Sequence, residues 1–207
     1  MTAPRQETVV EFILNSERNL ELAHKICSLD QNDGSFEFDV ISKVCQKDSY
    51  KEMKDRVTES FEDAKLELFE KFIHAIEKRY LNSLNREFIA ENDSRRIWHL
   101  PKNSVHPKFR IRLALPENKM SAISIGIQFE SSISQDSIKM LTAKYKYSGT
   151  PTTSFACRID INELKYGSLD FLRNIYRCWK NPSKTHPVAE TLLDQIHELE
   201  NLDVTTT

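Results

Sequence analysis

Glycine is scarce in this chain, which holds 4 among 207 residues. That count argues against a glycine-rich phosphate loop and against a fold built on tight glycine turns. No apolar run reaches the length of a membrane span, so no membrane partner is expected. Residues 1–7 carry neither the basic region nor the long apolar stretch of a secretory signal, and a cytoplasmic location is expected. The four cysteines, Cys27, Cys45, Cys157 and Cys178, never fall at the close spacing of a zinc site. Nothing marks the chain as secreted, so they are expected to be reduced thiols, most of them buried as small hydrophobes. The six histidines include no close ligand pair on a helix; His99 and His106 share one segment and could converge, but a metal is not expected. No nucleophile elbow, phosphate loop, dinucleotide fingerprint or zinc-protease helix motif occurs. Neither a cofactor nor a catalytic residue is assigned.

What is present is an uneven charge map. Net charge is only −2. Residues 1–94 carry 13 Lys+Arg against 20 Asp+Glu, and residues 188–207 carry none against 5. Residues 95–187 carry 16 against 6, an excess of +10. Two readings follow. Either the basic middle meets an anionic partner, or the acidic helices lie beside it and neutralise it. The chain divides on this map into an acidic helical segment, 1–94, and a basic α+β segment, 95–207, ending in an acidic helix. The two are expected to form one compact unit.

Hydrophobic spacing supplies the elements. Thr8 and Glu11 fit a capping box at the head of a helix over 8–29, with a second N-cap possible at Asn15 or Ser16. Residues 36–46 read equally as a short helix or an extended piece. From 49 to 84 there is neither Pro nor Gly. Met53, Val57, Phe61, Ala64, Leu68, Phe72 and Ile76 recur every three or four residues. This predicts one long amphipathic helix, packed on its own domain or extended toward a partner. Residues 92–107, punctuated by Pro101 and Pro107, read as irregular.

Two strands are predicted by alternation, 109–115 and 123–129. Their apolar positions are all odd-numbered, and opposed residues must share a face. A three-residue loop at 117–119 satisfies this, setting Leu113 against Ile123, Ile111 against Ile125 and Phe109 against Ile127. The other face then carries Arg110, Arg112, Ser124, Gly126 and Gln128. Further on, Ser134 starts a helix to about 147, a third strand covers 154–161, Ser168 caps a helix to about Trp179, and a last helix covers 188–202. The expected fold is α+β: an antiparallel sheet of at least three strands, packed against the long helix and the C-terminal helices.

The basic segment supplies the candidate site. From 94 to 116 there is no acid, while Arg95, Arg96, Lys102, Lys108, Arg110 and Arg112 accompany Trp98 and His99. Cations neutralise phosphates, and aromatic rings stack on unpaired bases. Lys144 and Lys146 form a second cluster. Arg173, Arg177 and Lys180 form a third, on one helix face. DNA or RNA is therefore the expected partner class, and Trp98 the expected stacking ring. The bland alternative is that Trp98 and Trp179 are core residues and the lysines are merely solvated. Nuclease chemistry needs an Asp and a Glu beside a Lys. Glu117 with Lys119 and Glu52 with Lys54 have the spacing, and Glu130, Asp136 and Asp160 are looser candidates. Such short matches are common by chance.

The order of the long helix, Trp98 to Pro101, the hairpin ending at Ile125 to Glu130, the helix at Phe171 to Tyr176 and the acidic last helix resembles an accessory domain. That domain follows the catalytic core in some PD-(D/E)XK nuclease-superfamily proteins of prokaryotes and their viruses. The resemblance implies a partner-binding or DNA-contacting module and brings no active-site residue with it. The reading is a non-catalytic module that binds nucleic acid or another phosphate-rich partner. The alternatives are a protein-interaction subunit docking, or self-associating, through the long helix, and a divergent metal-dependent nuclease.

Overall fold

Backbone alternation and helical spacing meet in an α+β fold. A computed structural model describes residues 6–28, 47–81, 86–91, 94–100, 109–115, 122–129, 134–144 and 156–202. Among them are six α-helices and one five-stranded sheet. The chain divides into two compact units, Met1–Lys71 and Phe72–Thr207.

The first unit is helical. α1 (Gln6–Asn15) and α2 (Glu17–Ser28) are separated at Ser16. Ser16 Oγ accepts from the Asn19 backbone N–H at 3.1 Å, an N-cap that explains the break. α1 begins at Gln6, so Thr8 lies within its first turn and is not the N-cap that the capping-box pattern predicts. α3 (Lys47–Ile76) runs without interruption through Glu59 and Ser60. Its exposed side is laced with pairs one turn apart: Glu52 with Arg56 at 2.6 Å, Glu62 with Lys65 at 2.7 Å and Glu67 with Lys71 at 3.0 Å. Each is worth only a few tenths of a kcal/mol, roughly 0.2–0.5, so the buried stripe of Phe61, Ala64 and Leu68 does more to hold the helix. α2 meets that stripe directly, with the His24 ring edge-on to Phe61 at 6.1 Å. The turn predicted at Asn32 to Gly34 and the segment 36–46 lie outside the described residues.

The boundary between the units falls inside α3, between Lys71 and Phe72. In the second unit, α3 widens after Ile76 into a π-helical turn, Glu77–Leu81. Two side chains of that turn are tied to later chain. Glu77 Oε1 accepts from the Phe88 N–H at 2.7 Å, and the Arg79 guanidinium donates to the carbonyls of Pro182 and Lys184. Nearby in sequence, Arg86 pairs with Glu200.

The sheet follows chain order: β1 (Ile89–Glu91), β2 (Ser94–Leu100), β3 (Phe109–Ala114), β4 (Ala122–Phe129) and β5 (Ala156–Lys165), each antiparallel to the next. β2 corrects the expectation that 92–107 is irregular. Only Trp98 and Leu100 alternate as apolar residues there, too few to read as a strand. Pairing with β3, Trp98 against Leu113 and Leu100 against Ile111, supplies what the local pattern lacks.

The predicted face of β3 and β4 is right and the register is not. Leu113 stands opposite Ile125, Ile111 opposite Ile127 and Phe109 opposite Phe129. This is a shift of two residues from the pairing predicted with a loop at 117–119. Alternation fixes only parity, and any even shift keeps the apolar residues on one face. The observed register brings Phe129, which is fully buried, into the ladder.

Helices complete the unit. α4 (Gln135–Lys144) is capped by Ser134, whose Oγ accepts from the Ser137 N–H at 3.2 Å. Gly167, at φ 87°, turns the chain out of β5. Ser168 then caps α5 (Leu169–Lys180), accepting from the Phe171 N–H at 3.3 Å. Asn181 to His186 form the loop, and Pro187 opens α6 (Pro187–Glu200). α6 packs on α5 and on β3 and β4. Its buried residues include Val188, Leu192 and Ile196.

Candidate functional site

The second face of the sheet is where the predicted cations gather. Opposed residues of neighbouring strands share a face. Arg110 stands opposite Gln128, Arg112 opposite Gly126 and Ala114 opposite Ser124. On the other side of β3, His99 stands opposite Arg112 and Ile97 opposite Ala114. On the far side of β4, Arg158 stands opposite Gly126 and Asp160 opposite Ser124. One row across four strands therefore reads His99, Arg112, Gly126, Arg158.

This face is not uniformly open. Arg110 is exposed, while His99, Arg112 and Gln128 are half-buried. Ser124 and Gly126 are buried. Arg112 Nε is buried and makes no hydrogen bond among the described residues. The described side chains here offer donors and positive charge, from the guanidinium groups of Arg110 and Arg112, the His99 imidazole and the Ser124 hydroxyl, while the register also brings an acid, Asp160 of β5, to the same face opposite Ser124. Ser124 Oγ reaches the Ala114 carbonyl only at 3.5 Å, a weak contact.

Trp98 requires a correction. It is 5% exposed, on the apolar face opposite Leu113, so its ring belongs to the core and offers no surface for a base to stack on. The half-exposed tryptophan is Trp179 on α5, with Lys180 Nζ 3.8 Å from its ring centroid and Tyr176 edge-on at 5.6 Å. Around it Arg177 and Lys180 are exposed, and Arg173 lies 3.8 Å from Asp170 of its own helix. Arg95 and Arg96 fall in β2, and Lys144 closes α4. Lys102, Lys108 and Lys146 lie outside the described residues. The fold thus joins His99 to Arg110 and Arg112 and leaves the α5 cluster as a helix-borne group of its own.

The carboxylates with nuclease spacing do not assemble among the described residues. Glu52 pairs with Arg56 on α3, Asp136 is exposed on α4, and Asp160 belongs to β5. Glu117, Lys119 and Glu130 lie outside the described residues, as does His106. Among the described residues no group of three His, Cys, Asp or Glu is placed to hold a metal ion. Cys27 and Cys178 are free thiols. Burial pushes the Cys178 thiol up to about 11, opposed by the nearby Arg79 charge. Burial also raises Cys27, against a hydrogen bond with Thr58. Both are therefore poor thiolates at neutral pH.

Arg158 is the residue that sequence reasoning missed. Its strand was anticipated, and Cys157 and Ile159 mark the opposite parity. Only the ladder with β4 brings it into the row with Arg112. No family model, curated protein or solved structure matches the chain. No helix among the described residues is long and apolar enough to cross a membrane.

Proposed function

We propose that the chain is a non-catalytic module that binds nucleic acid, or another phosphate-rich partner, through the second face of its sheet. One observation carries this reading: Arg110 and Arg112 lie two residues apart on one sheet face, with His99 opposite Arg112. Residues two apart on a strand are about 6.7 Å apart along it, so both cations can follow one phosphate backbone. The +10 excess of residues 95–187 supplies a field of the right sign. The resemblance to the accessory domain of PD-(D/E)XK proteins agrees with such a role.

Titration of the full chain against single- and double-stranded DNA and RNA at two salt concentrations tests the reading. Binding through phosphates releases counterions, so affinity should fall steeply with salt. Failure to bind any of them at micromolar concentration, at low salt, would leave the second reading in front. That reading, a protein-interaction subunit, is supported by large apolar side chains exposed on the first unit: Phe12, Leu22 and Met53. Concentration-dependent sedimentation of the chain alone tests its self-associating form.

A further inference from the structure

We infer that Trp179, with Lys180 and Arg177 beside it at the end of α5, binds an unpaired base of single-stranded nucleic acid. The inference rests on the reading above and deepens it, from a basic surface to a contact that tells single strands from duplexes.

Tryptophan is large and apolar, and burying it is its most favourable use. Trp98 follows that rule at 5% exposure, whereas Trp179 stands half-exposed in the last turn of α5. Its surroundings are cationic. Lys180 Nζ lies 3.8 Å from its ring centroid and 5.6 Å from that of Tyr176. Arg177, exposed, precedes Lys180 by three residues, so the two are neighbours on the helix surface. Residues 171–189 hold four Lys+Arg, namely Arg173, Arg177, Lys180 and Lys184, and no Asp or Glu. Arg173 is offset by Asp170, 3.8 Å away toward the other end of the helix.

The group is carried on a firm frame. Tyr176 is buried and meets Trp179 edge-on at 5.6 Å, which fixes one side of the ring. Beyond the helix, the Asn181 N–H donates to the Arg177 carbonyl at 2.9 Å and the Lys184 N–H to the Asn181 carbonyl at 3.1 Å. The Arg79 guanidinium donates to the carbonyls of Pro182 and Lys184, and the buried His186 donates from Nε2 to the Asn181 carbonyl at 2.9 Å. Lys184 therefore leaves a pinned loop and is exposed. A ring and cations on such a frame lose little freedom on binding.

A ring among cations suits an unpaired base joined to its phosphates: the ring stacks on the base, and the cations meet the phosphates. Lys180 lies over the ring where a base would lie. An exposed cation–π contact is weaker than base–aromatic stacking, and the displaced ammonium gains a phosphate, so the exchange favours the base. The bases of a duplex are already stacked on one another and present no face to the ring. The competing account is structural: Arg177 and Lys180 complement the negative end of the α5 dipole, and Trp179 covers Tyr176.

The test titrates the full chain with a thymidine oligonucleotide and with a duplex of equal length, read by tryptophan emission and by anisotropy of a label on the DNA. The single strand should quench Trp179, the duplex should leave emission unchanged, and the enclosed Trp98 should give a constant background. Trp179→Ala should weaken single-strand binding about fivefold or more and leave duplex affinity within about twofold. Trp179→Phe, which keeps a ring, should bind the single strand more tightly than Trp179→Ala does. Lys180→Gln should lower the slope of log affinity against log salt for the single strand by about 0.7. Single-strand affinity unchanged in Trp179→Ala overturns the inference and leaves the sheet-face reading standing. Equal losses for single strand and duplex also overturn it, since a structural ring acts on both. If Trp179→Ala does not fold, quenching decides: its loss in Trp179→Phe supports the contact, and its persistence there overturns it. Single-strand binding that needs Trp179 but neither Arg110 nor Arg112 keeps the contact and sinks the sheet-face reading. If neither DNA binds at micromolar concentration and low salt, both fall.

Discussion

The two faces of the β3–β4 ribbon share every backbone hydrogen bond and differ only in what their side chains meet. On one face Leu113, Ile125 and Phe129 are at most 1% exposed. On the other, Arg110 is exposed and Arg112 and Gln128 are half-buried. Fully burying a side chain such as Leu or Ile contributes roughly 1.5–3 kcal/mol, so the first face carries stability. The second contributes little of that kind and is available for charge. It is also graded, passing from open at Arg110 to closed at Ser124 and Gly126. A two-residue period thus lets one strand serve a core and a polar surface at once.

The contrast can be broken most severely at Trp98. If its ring is core, Trp98→Ala should cost about 3–5 kcal/mol by denaturant unfolding, before any effect on a ligand can be read. A stable Trp98→Ala protein would remove the ring from the apolar face. Leu113→Ala comes next, at about 2–5 kcal/mol. A loss below 1 kcal/mol there would mean that the face is not the sealed layer its burial describes.

The same two-sidedness can be sharpened on α5, where Cys178 faces inward and Arg177 outward. The folded-state thiol pKa of Cys178 is raised to about 11 from an ordinary 9.0. A raised value means that its contribution is fully present below pH 9 and is lost as pH climbs toward 11. Unfolding free energy should therefore fall across that window, and Cys178→Ala should flatten the fall whatever it does to stability at neutral pH. An unchanged slope would place the thiol in water. Ser168→Ala, which deletes the cap of α5, should cost about 1 kcal/mol.

The smallest stability effect belongs to the polar face. Arg110→Ala should change unfolding free energy by no more than about 0.5 kcal/mol. It should instead lower the slope of log affinity against log salt by about 0.7–0.9 if the arginine meets one phosphate. A large stability loss with an unchanged slope would reverse the roles assigned to the two faces.

Much of this architecture was legible in local pattern. The long helix follows from apolar spacing and from the lack of Pro and Gly between 49 and 84. The break between α1 and α2, the cap at Ser168 and the start of α4 at Ser134 are local side-chain-to-backbone contacts that a short sequence window contains. Alternation placed Arg110 and Arg112 together on one face and Leu113 on the other. Less was legible where the deciding partner is distant. β2 has a weak alternation of its own, and its strand identity comes from β3. The π-helical turn at Glu77–Leu81 is held by contacts to Phe88, Pro182 and Lys184, none of which helical spacing reveals. Taken residue by residue, local pattern favours a core role for Trp98 over a stacking one, and its burial opposite Leu113 decides for the core.

By itself, then, the sequence determined which residues alternate, which spacing is helical and which serines start helices, because these depend on chain geometry within a few residues. It determined the parity of the β3–β4 pairing but not its register, since a shift by two leaves every side chain on the same face. Only the tertiary structure decided that β2, β3, β4 and β5 lie side by side in that order. That order brings His99, Arg112 and Arg158, separated by up to 59 positions of chain, into one row around Gly126. The physical reason is that ladder hydrogen bonds are made by backbone groups common to all residues. Which strands pair, and in which register, is settled by the joint burial of their apolar faces and not by any one strand's pattern.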